Sequence, residues 1–309
     1  TLSPDEVENK EGFDRAIVHE PLGVVFIISA WNYPLLITIN GVMASLLAGN
    51  VVLLKHATQT LSIGAHFAKA FGDLVEHAVI DHAAAAELME IRAVDHVIFT
   101  GSVEAGRTVY QHAAKGLLDC QLELGGKDGA YVATDANVAQ AAEALVDGAM
   151  YNSGQSCCGI ERVYVHDALH DAFVTQCAEL IDAYVLGDPA ANTTTLGPLA
   201  QASNAEIMVG QVDDAMAKGA QLVRGGKIRL IREGTFFEPT LLTYVTHGMD
   251  VMSIENFGPI LPVMRVTDDE EALSLINASA YGLTSIIYTR NKERAEHFCQ
   301  KANTGTVFM

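Results

Sequence analysis

Between residues 21 and 54 the chain contains no charged side chain, and this run limits what the chain can fold into. A membrane-spanning helix needs about 20 mainly apolar residues, so the run is long enough to be one. Pro34, Gly41 and Gly49 interrupt it, however, and divide it into a strand, a helix and a strand at 23–29, 35–47 and 50–55. Strands of a parallel sheet are buried on both faces and are therefore continuously apolar. We predict a buried β-α-β unit, and the hydropathy pattern argues against a membrane span.

The alternation of strand-like and helical patterns continues along the whole chain. In the first half we predict helices at 61–77, 83–91 and 103–115, and strands at 78–81, 95–100 and 121–124. In the second half we predict strands at 131–133, 163–166, 236–242, 260–266, 285–289 and 306–309, and helices at 138–150, 168–186, 205–218, 270–278 and 292–301. This order predicts an α/β fold with two doubly wound parallel-sheet domains, which bind ligands beyond the carboxyl ends of their strands.

A glycine pair marks the predicted boundary between the two domains, within residues 123–128. We expect an extended segment at 1–22, one α/β domain at 23–123 and a second at 124–309.

Charge and cysteine content exclude some classes of partner. The net charge of −19 argues against nucleic acid and anionic membranes. An odd number of cysteines, five, is typical of a reduced, cytoplasmic protein rather than a disulfide scaffold. The polar, acidic start of the chain is not a secretory signal, and the absence of an initial Met suggests a fragment or a processed chain.

Two adjacent cysteines, Cys157 and Cys158, follow a Gly-Gln pair between a predicted helix and a predicted strand. A thiol in such a loop can face a cleft, and its thiolate is the reactive form. Free cysteines are more often small buried hydrophobes, and the pair alone favours that interpretation. No CxxC or nearby histidine at ligand spacing supports a metal site, and we predict none.

A second stretch, Leu122-Glu123-Leu124-Gly125-Gly126-Lys127, changes this interpretation. Together with Gly154-Gln155-Ser156-Cys157, it resembles the aldehyde dehydrogenase superfamily, of the NAD(P)-dependent, non-acylating type. The resemblance implies that Cys157 is the nucleophile, that Glu123 is the general base, and that Ser156 occupies a variable position. Without the resemblance, Glu123 would be interpreted as a strand-end carboxylate in a salt bridge.

The resemblance covers nearly the whole chain and implies a Rossmann-like cofactor domain followed by an α/β catalytic domain. Asn32, in the segment Ala30-Trp31-Asn32-Tyr33-Pro34, corresponds to the amide that donates to the substrate oxyanion. The family also implies that Trp31 and Leu124 contact the cofactor. Gly101 and Ser102 follow a predicted strand and open a helix, where a backbone turn favours phosphate, although a tight turn explains them equally well.

Lys55 and Thr58 bear on which dinucleotide is bound. By resemblance, Lys55 bonds the adenosine ribose, and an acidic residue usually stands three positions later. Thr58 stands there in this chain and does not repel a 2′-phosphate, so we predict that NADP is accepted as well as NAD. Glu255 and Phe257, in Glu255-Asn256-Phe257-Gly258-Pro259, are implied to hold the nicotinamide ribose and to pack beside the nicotinamide. Arg162 matches a supportive basic residue of the family.

The implied activity is oxidation of a small-molecule aldehyde to a carboxylic acid through a thiohemiacetal and a thioester on Cys157. Glu123 favours hydrolysis of the thioester over transfer to coenzyme A. Complete family members are longer, so we expect this chain to be truncated at both ends; homo-oligomerisation, implied for a full-length relative, stays open here. The alternative is a catalytically silent binding or structural protein.

Overall fold

The computed structural model describes residues 5–6 and 10–309. The chain divides into two compact units, Thr1–Leu124 and Gly125–Met309. This division falls inside the segment 123–128 that contains the glycine pair.

The first unit alternates strands and helices. Its strands are β1 (Asp5–Glu6), β2 (Ala16–Ile17), β3 (Val24–Ser29), β4 (Val51–His56), β5 (Val75–His77), β6 (His96–Thr100) and β7 (Asp119–Glu123), and its helices are α1 (Leu36–Leu47), α2 (Leu61–Phe71), α3 (His82–Glu90) and α4 (Val103–Lys115). Five strands form a fully parallel sheet in the order β5-β4-β3-β6-β7. The chain reverses its direction of winding between β3 and β6, which is the doubly wound arrangement predicted for a dinucleotide-type fold. β1 and β2 form a separate antiparallel pair.

Both faces of the parallel sheet are covered, which explains the charge-free run. Val25 and Ile27 of β3 pack in a core with Val42 of α1 and Phe67 of α2. On the opposite face Phe26 packs with Met89, Val97 and Ala113 in a second core. Alternate residues of one strand thus enter different cores, so every position of β3 favours an apolar side chain.

The predicted helix at 61–77 is too long, and the predicted strand at 78–81 is misplaced. The helix ends at Phe71, because Gly72 adopts a positive φ of 57° and the chain then forms a short 3₁₀ turn. Val75 is buried and pairs with Val52, so the strand begins there instead. A positive φ with a ψ of −135° is open mainly to glycine, and an amphipathic pattern continuing past Gly72 concealed this stop.

The second unit contains the remaining elements. Its strands are β8 (Asp128–Val132), β9 (Ile160–His166), β10 (Gln221–Arg224), β11 (Ile228–Ile231), β12 (Gly234–Phe237), β13 (Thr240–Thr243), β14 (Ile260–Val266), β15 (Thr284–Tyr288) and β16 (Thr306–Phe308), and its helices are α5 (Val138–Met150), α6 (His170–Ile181), α7 (Ser203–Ala217), α8 (Asp250–Ser253), α9 (Asp269–Asn277) and α10 (Lys292–Lys301). Seven strands form a sheet in the order β10-β13-β14-β9-β8-β15-β16, parallel except for the edge strand β10. β11 and β12 form a separate hairpin.

Two predicted elements in this unit differ clearly from the structure, and three elements were not predicted. The predicted strand at 236–242 is two strands in different sheets, because Pro239 lacks the N–H that a continuous ladder requires. The predicted helix at 168–186 ends at Ile181. The strands β10 and β11 and the short helix α8 were not predicted.

No helix in residues 5–6 and 10–309 combines the length and apolar character of a membrane span.

Candidate active site

The first unit contains a cavity of about 750 Å³ where the doubly wound topology places a ligand. Ile28, Lys55 and Phe99 line it from the carboxyl ends of β3, β4 and β6, and α3 and α4 form its sides. Ser102 lines it as well and caps α4, with its Oγ accepting from the N–H of Ala105 at 3.3 Å. A helix N-terminus at a cavity favours a phosphate group. Of the predicted cofactor residues, the cavity therefore brings together Lys55 and Ser102.

Lys55 is 6% exposed, although it carries a charged side chain. Burial lowers the pKa of Lys55, and the carboxylate of Asp81 partly opposes that shift. Thr58 begins the 3₁₀ turn after β4 and is exposed, and it is not among the described residues that line the cavity.

The ends of β6 and β7 are joined next to the predicted base. Gly101, which follows β6, donates its N–H to the carbonyl of Glu123 at 3.0 Å. Glu123 is the last residue of β7 and its side chain is exposed. Leu124 packs on Gly106 of α4, where an added Cβ would lie 2.3 Å from the Leu124 Cδ2. Gly106 is therefore explained by close packing under the segment that carries Glu123.

His56 was missed by the sequence analysis, although it holds the turn that contains Trp31 and Asn32. Its Nε2 lies 3.0 Å from the Pro34 carbonyl and its Nδ1 lies 2.8 Å from the Thr60 Oγ1. A carbonyl only accepts, so Nε2 carries the proton and Nδ1 accepts from the hydroxyl. Burial lowers the pKa of His56, which favours this neutral form. A buried histidine directly after the strand-end lysine was the available signal.

In the second unit the predicted residues gather at the amino edge of the sheet rather than at the carboxyl edge. Asp128 of β8 is level with Ile160 of β9, and Val163 of β9 is level with Val263 of β14, in parallel register. The segments that enter β8, β9 and β14 therefore meet at one edge, and they contain the glycine pair, the cysteine pair and Glu255-Asn256-Phe257.

The loop before the cysteines is held in a rare backbone conformation. Asn152, Ser153 and Gly154 have φ values of 54°, 56° and 70°. Ser153 donates to the Gly197 carbonyl at 2.8 Å, and the Gln155 Oε1 accepts from the Ala200 N–H at 2.8 Å. Three consecutive left-handed residues persist only where surrounding contacts determine them, which is common at functional sites.

Glycines bring this loop close to its neighbours. A Cβ on Gly154 would lie 2.1 Å from the backbone of Gly258, and one on Gly126 would lie 2.0 Å from the Cys157 carbonyl oxygen. The Gly-Gln and Gly-Gly elements of the two motifs thus allow backbone contacts that no larger residue permits.

The two cysteines differ in exposure. Cys157 is half-buried and Cys158 is exposed, and Ser156 Oγ lies 3.5 Å from the Cys158 Sγ. A hydrogen bond between the two sulfurs, followed by burial, raises the pKa of Cys157. The same bond lowers the pKa of Cys158. Adjacent thiols titrate as a pair, and in this conformation Cys158 is the more readily ionised of the two.

Buried carboxyl groups surround this edge. Burial, and then the charge of Glu161, raises the pKa of Glu255 to about 7, although its Oε1 accepts from the Gly126 N–H at 2.9 Å. Burial also raises the pKa of Asp128 to about 7, against the opposing hydrogen bonds from Thr284. Both carboxyl groups therefore titrate near neutral pH rather than in the usual acidic range.

Arg162 is structural, consistent with its predicted supportive place. Its Nε donates to the Lys127 carbonyl at 2.7 Å, and its other nitrogens donate to the carbonyls of Leu275 and Ile276 at 3.3 Å. Within the described residues, no group of three or more His, Cys, Asp and Glu side chains is arranged to hold a metal.

The first unit has the strand order and the cavity of a nucleotide-binding fold. The second α/β unit carries a cysteine pair after a strained loop. These features define the class as a two-unit α/β protein with one nucleotide-binding-type unit. The whole chain, residues 1–309, matches the family model described as "Aldehyde dehydrogenase family", and the chain belongs to that family.

Relatives of known name support this assignment. The chain is 36% identical over 318 residues to succinate-semialdehyde dehydrogenase [NADP(+)] of Deinococcus radiodurans, covering 100% of this chain and 65% of the relative. It is 36% identical to 4,4′-diapolycopene aldehyde oxidase of a Methylomonas species, covering 94% of this chain and 54% of that one. Lactaldehyde dehydrogenase from Escherichia coli is similar in structure, with a TM-score of 0.93, 34% identity and coverage of 99% and 66%. The chain thus spans less than two thirds of the length of these curated relatives.

Proposed function

We propose that this protein oxidises an aldehyde to a carboxylic acid with NAD or NADP. The observation that carries the proposal is the strained loop of residues 152–154, which presents Cys157 at the same edge as Glu255 and Phe257. The names of the relatives are consistent with aldehyde substrates but differ in the aldehyde, so the proposal stops at the aldehyde group.

Residues of the first unit suit a dinucleotide. The cavity beside the α4 N-terminus matches a phosphate-bearing ligand, and Lys55 gives it a positive charge. We assign Trp31, Lys55, Thr58, Gly101, Ser102 and Leu124 to this side, Glu255 to the nicotinamide ribose and Phe257 to a place beside the nicotinamide. Thr58 carries no negative charge that would repel a 2′-phosphate, and one relative is named for NADP, so NADP is included.

Covalent catalysis assigns the chemical roles. The Cys157 thiolate attacks the aldehyde carbon, and Asn32 donates a hydrogen bond to the oxygen as it becomes negative. A bound nicotinamide would supply the hydride acceptor needed to oxidise the thiohemiacetal on Cys157 to a thioester. Glu123 then takes a proton from water, which attacks the thioester and releases the acid. The thiolate of Cys157 is regenerated as the leaving group.

The experiment is a panel of aldehydes assayed with the purified chain and with NAD⁺ or NADP⁺. Formation of reduced cofactor with release of the acid supports the proposal. A strict requirement for coenzyme A would show thioester transfer instead of hydrolysis. Binding of either dinucleotide without turnover of any aldehyde would favour the catalytically silent alternative.

The cellular compartment and the oligomeric state are also proposals. All five cysteines are free thiols, which supports a reducing compartment such as the cytoplasm. Size measurement in solution would establish whether the chain forms a homo-oligomer, as implied for its full-length relatives.

A further inference from the structure

Glu161, the second residue of β9, belongs to none of the sequence motifs, yet its carboxylate is buried at the candidate site. Its Oε2 accepts from the Lys127 Nζ at 2.7 Å and from the Asn256 N–H at 2.9 Å. Its Oε1 accepts from the Phe257 N–H at 3.1 Å. One carboxylate therefore binds a lysine from the glycine-pair segment and two consecutive backbone N–H groups from the loop before β14.

These contacts hold the loop in a backbone conformation that its residues rarely adopt. Phe257 has a φ of 49°, in the left-handed region that an aromatic residue rarely occupies. The Asn256 Oδ1 accepts from the Gly258 N–H at 3.1 Å, which closes the turn beyond it. A charged acceptor on successive N–H groups is among the stronger ways to stabilise such a conformation.

The same loop begins with Glu255, whose carboxylate is seated against the glycine pair. Its Oε1 accepts from the Gly126 N–H at 2.9 Å, and a Cβ on Gly125 would lie 2.5 Å from its Oε2. The segment Gly125–Lys127 thus meets the loop twice, once through Glu255 and once through Lys127 and Glu161.

A buried ion pair such as Lys127–Glu161 contributes little by itself to the free energy of folding. Its side chains are 0% and 4% exposed, and desolvation of two charges offsets much of their attraction. Apolar residues often replace such an ion pair at no cost, but here they would leave the N–H groups of Asn256 and Phe257 without this acceptor. A role in positioning the loop explains why charges occupy this place.

We propose that Glu161 is a positioning residue for cofactor binding: it holds the N–H groups of Asn256 and Phe257, and thereby sets the Glu255 carboxylate for the nicotinamide ribose and the Phe257 ring for the nicotinamide. The inference rests on the proposed function, in which Glu255 and Phe257 contact that half of the cofactor. It predicts that Glu161 affects the nicotinamide half and not the adenosine half.

Two matched double variants test this without leaving a buried charge unpaired. K127M/E161Q retains an acceptor oxygen for the loop, whereas K127M/E161L keeps a similar volume with none. Calorimetry measures the Kd of whichever dinucleotide the wild type binds, and the Kd of its matching fragment, ADP for NAD⁺ or 2′,5′-ADP for NADP⁺. Thermal unfolding establishes that each variant folds, and Glu161→Gln alone replaces any double variant that does not.

The Leu double variant is expected to bind the dinucleotide about 10-fold more weakly or worse, as for a lost charged hydrogen bond, and the Gln double variant less so. Binding of the fragment should stay within about twofold of wild type, because the fragment lacks the nicotinamide ribose. Equal losses for dinucleotide and fragment would show a general structural role and overturn the inference, and so would no loss for the dinucleotide. A wild-type chain that binds neither ligand would overturn the proposed function itself, and the inference with it.

Discussion

At the scale of single residues, the two adjacent cysteines have identical side chains in different environments. Cys157 is half-buried, with its carbonyl oxygen against Gly126, whereas Cys158 is exposed and lies near the Ser156 hydroxyl. The more ionisable sulfur in this conformation is Cys158, but the family motif places the nucleophile at Cys157. The two criteria disagree, and substitution separates them.

Cys157→Ala should lower aldehyde oxidation by about a thousandfold or more, because the proposed thioester forms on the Cys157 sulfur. Cys158→Ala should keep most of the activity and shift its dependence on pH downward, since the hydrogen bond that raises the pKa of Cys157 is lost. Production of reduced cofactor measured across pH tests both. Activity that survives Cys157→Ala but not Cys158→Ala would assign the reaction to the exposed sulfur.

Glu123 is the residue expected to act after the redox step. Glu123→Gln cannot take a proton from water, so deacylation should slow by about 100-fold. A rapid first turnover should remain in stopped-flow measurement of reduced cofactor, followed by a slow steady state. Unchanged steady-state turnover would remove Glu123 from the role of base.

At the scale of elements, the turn after β3 depends on His56, a residue of the neighbouring strand. His56→Phe keeps the ring but removes its bonds to the Pro34 carbonyl and the Thr60 hydroxyl. A displaced Asn32 should lower kcat by about 10- to 100-fold, because small misplacements of a catalytic group are costly. His66→Phe, an exposed substitution on α2, is the control and should leave kcat unchanged. Equal kcat in both variants would contradict a positioning role for His56.

The start of β8 is tied to the start of β15 by a carboxyl group with a raised pKa. Asp128 accepts from the Thr284 N–H at 3.1 Å and also from its hydroxyl. Burial raises its pKa from 3.8 to about 7 in the folded chain, so the folded state binds more protons than the unfolded state between those values. The contribution of this group to stability therefore falls as pH rises from about 4 through about 7.

Asp128→Asn retains an acceptor for Thr284 and removes this dependence. The variant should gain stability over wild type as pH rises from about 5 to about 8, by a few kcal/mol at most. Chemical denaturation at several pH values measures the difference. A difference that does not change with pH would show that Asp128 titrates in the usual acidic range.

Elements were predictable from local pattern where no distant contact intervenes. The helices at 103–115, 138–150 and 292–301 and the strand at 260–266 agree with the structure to the residue. The errors at Gly72 and Pro239 arise from single backbone constraints inside otherwise continuous patterns.

The candidate site shows the same division. Cys157 and Glu255 belong to short contiguous sequence motifs, which can be recognised without the structure. Glu161 and His56 act through partners distant along the chain, Asn256 and Pro34, so that neither has a local pattern. Their roles became visible only when the fold brought those partners together.

At the scale of the whole molecule, cofactor binding and stability are linked. A dinucleotide that binds only the folded chain should stabilise it by about 2.7 kcal/mol at a concentration 100 times its Kd. The rise in unfolding temperature with NADP⁺, compared with NAD⁺, therefore reports preference without needing turnover. Thr58→Glu supplies the control, because a carboxylate there should repel the 2′-phosphate. The variant should therefore show a smaller rise in unfolding temperature with NADP⁺ and an unchanged rise with NAD⁺. If the variant responds to both dinucleotides as wild type does, Thr58 has no part in choosing between them. If neither dinucleotide raises the unfolding temperature of the wild type, the cavity of the first unit is not a dinucleotide site.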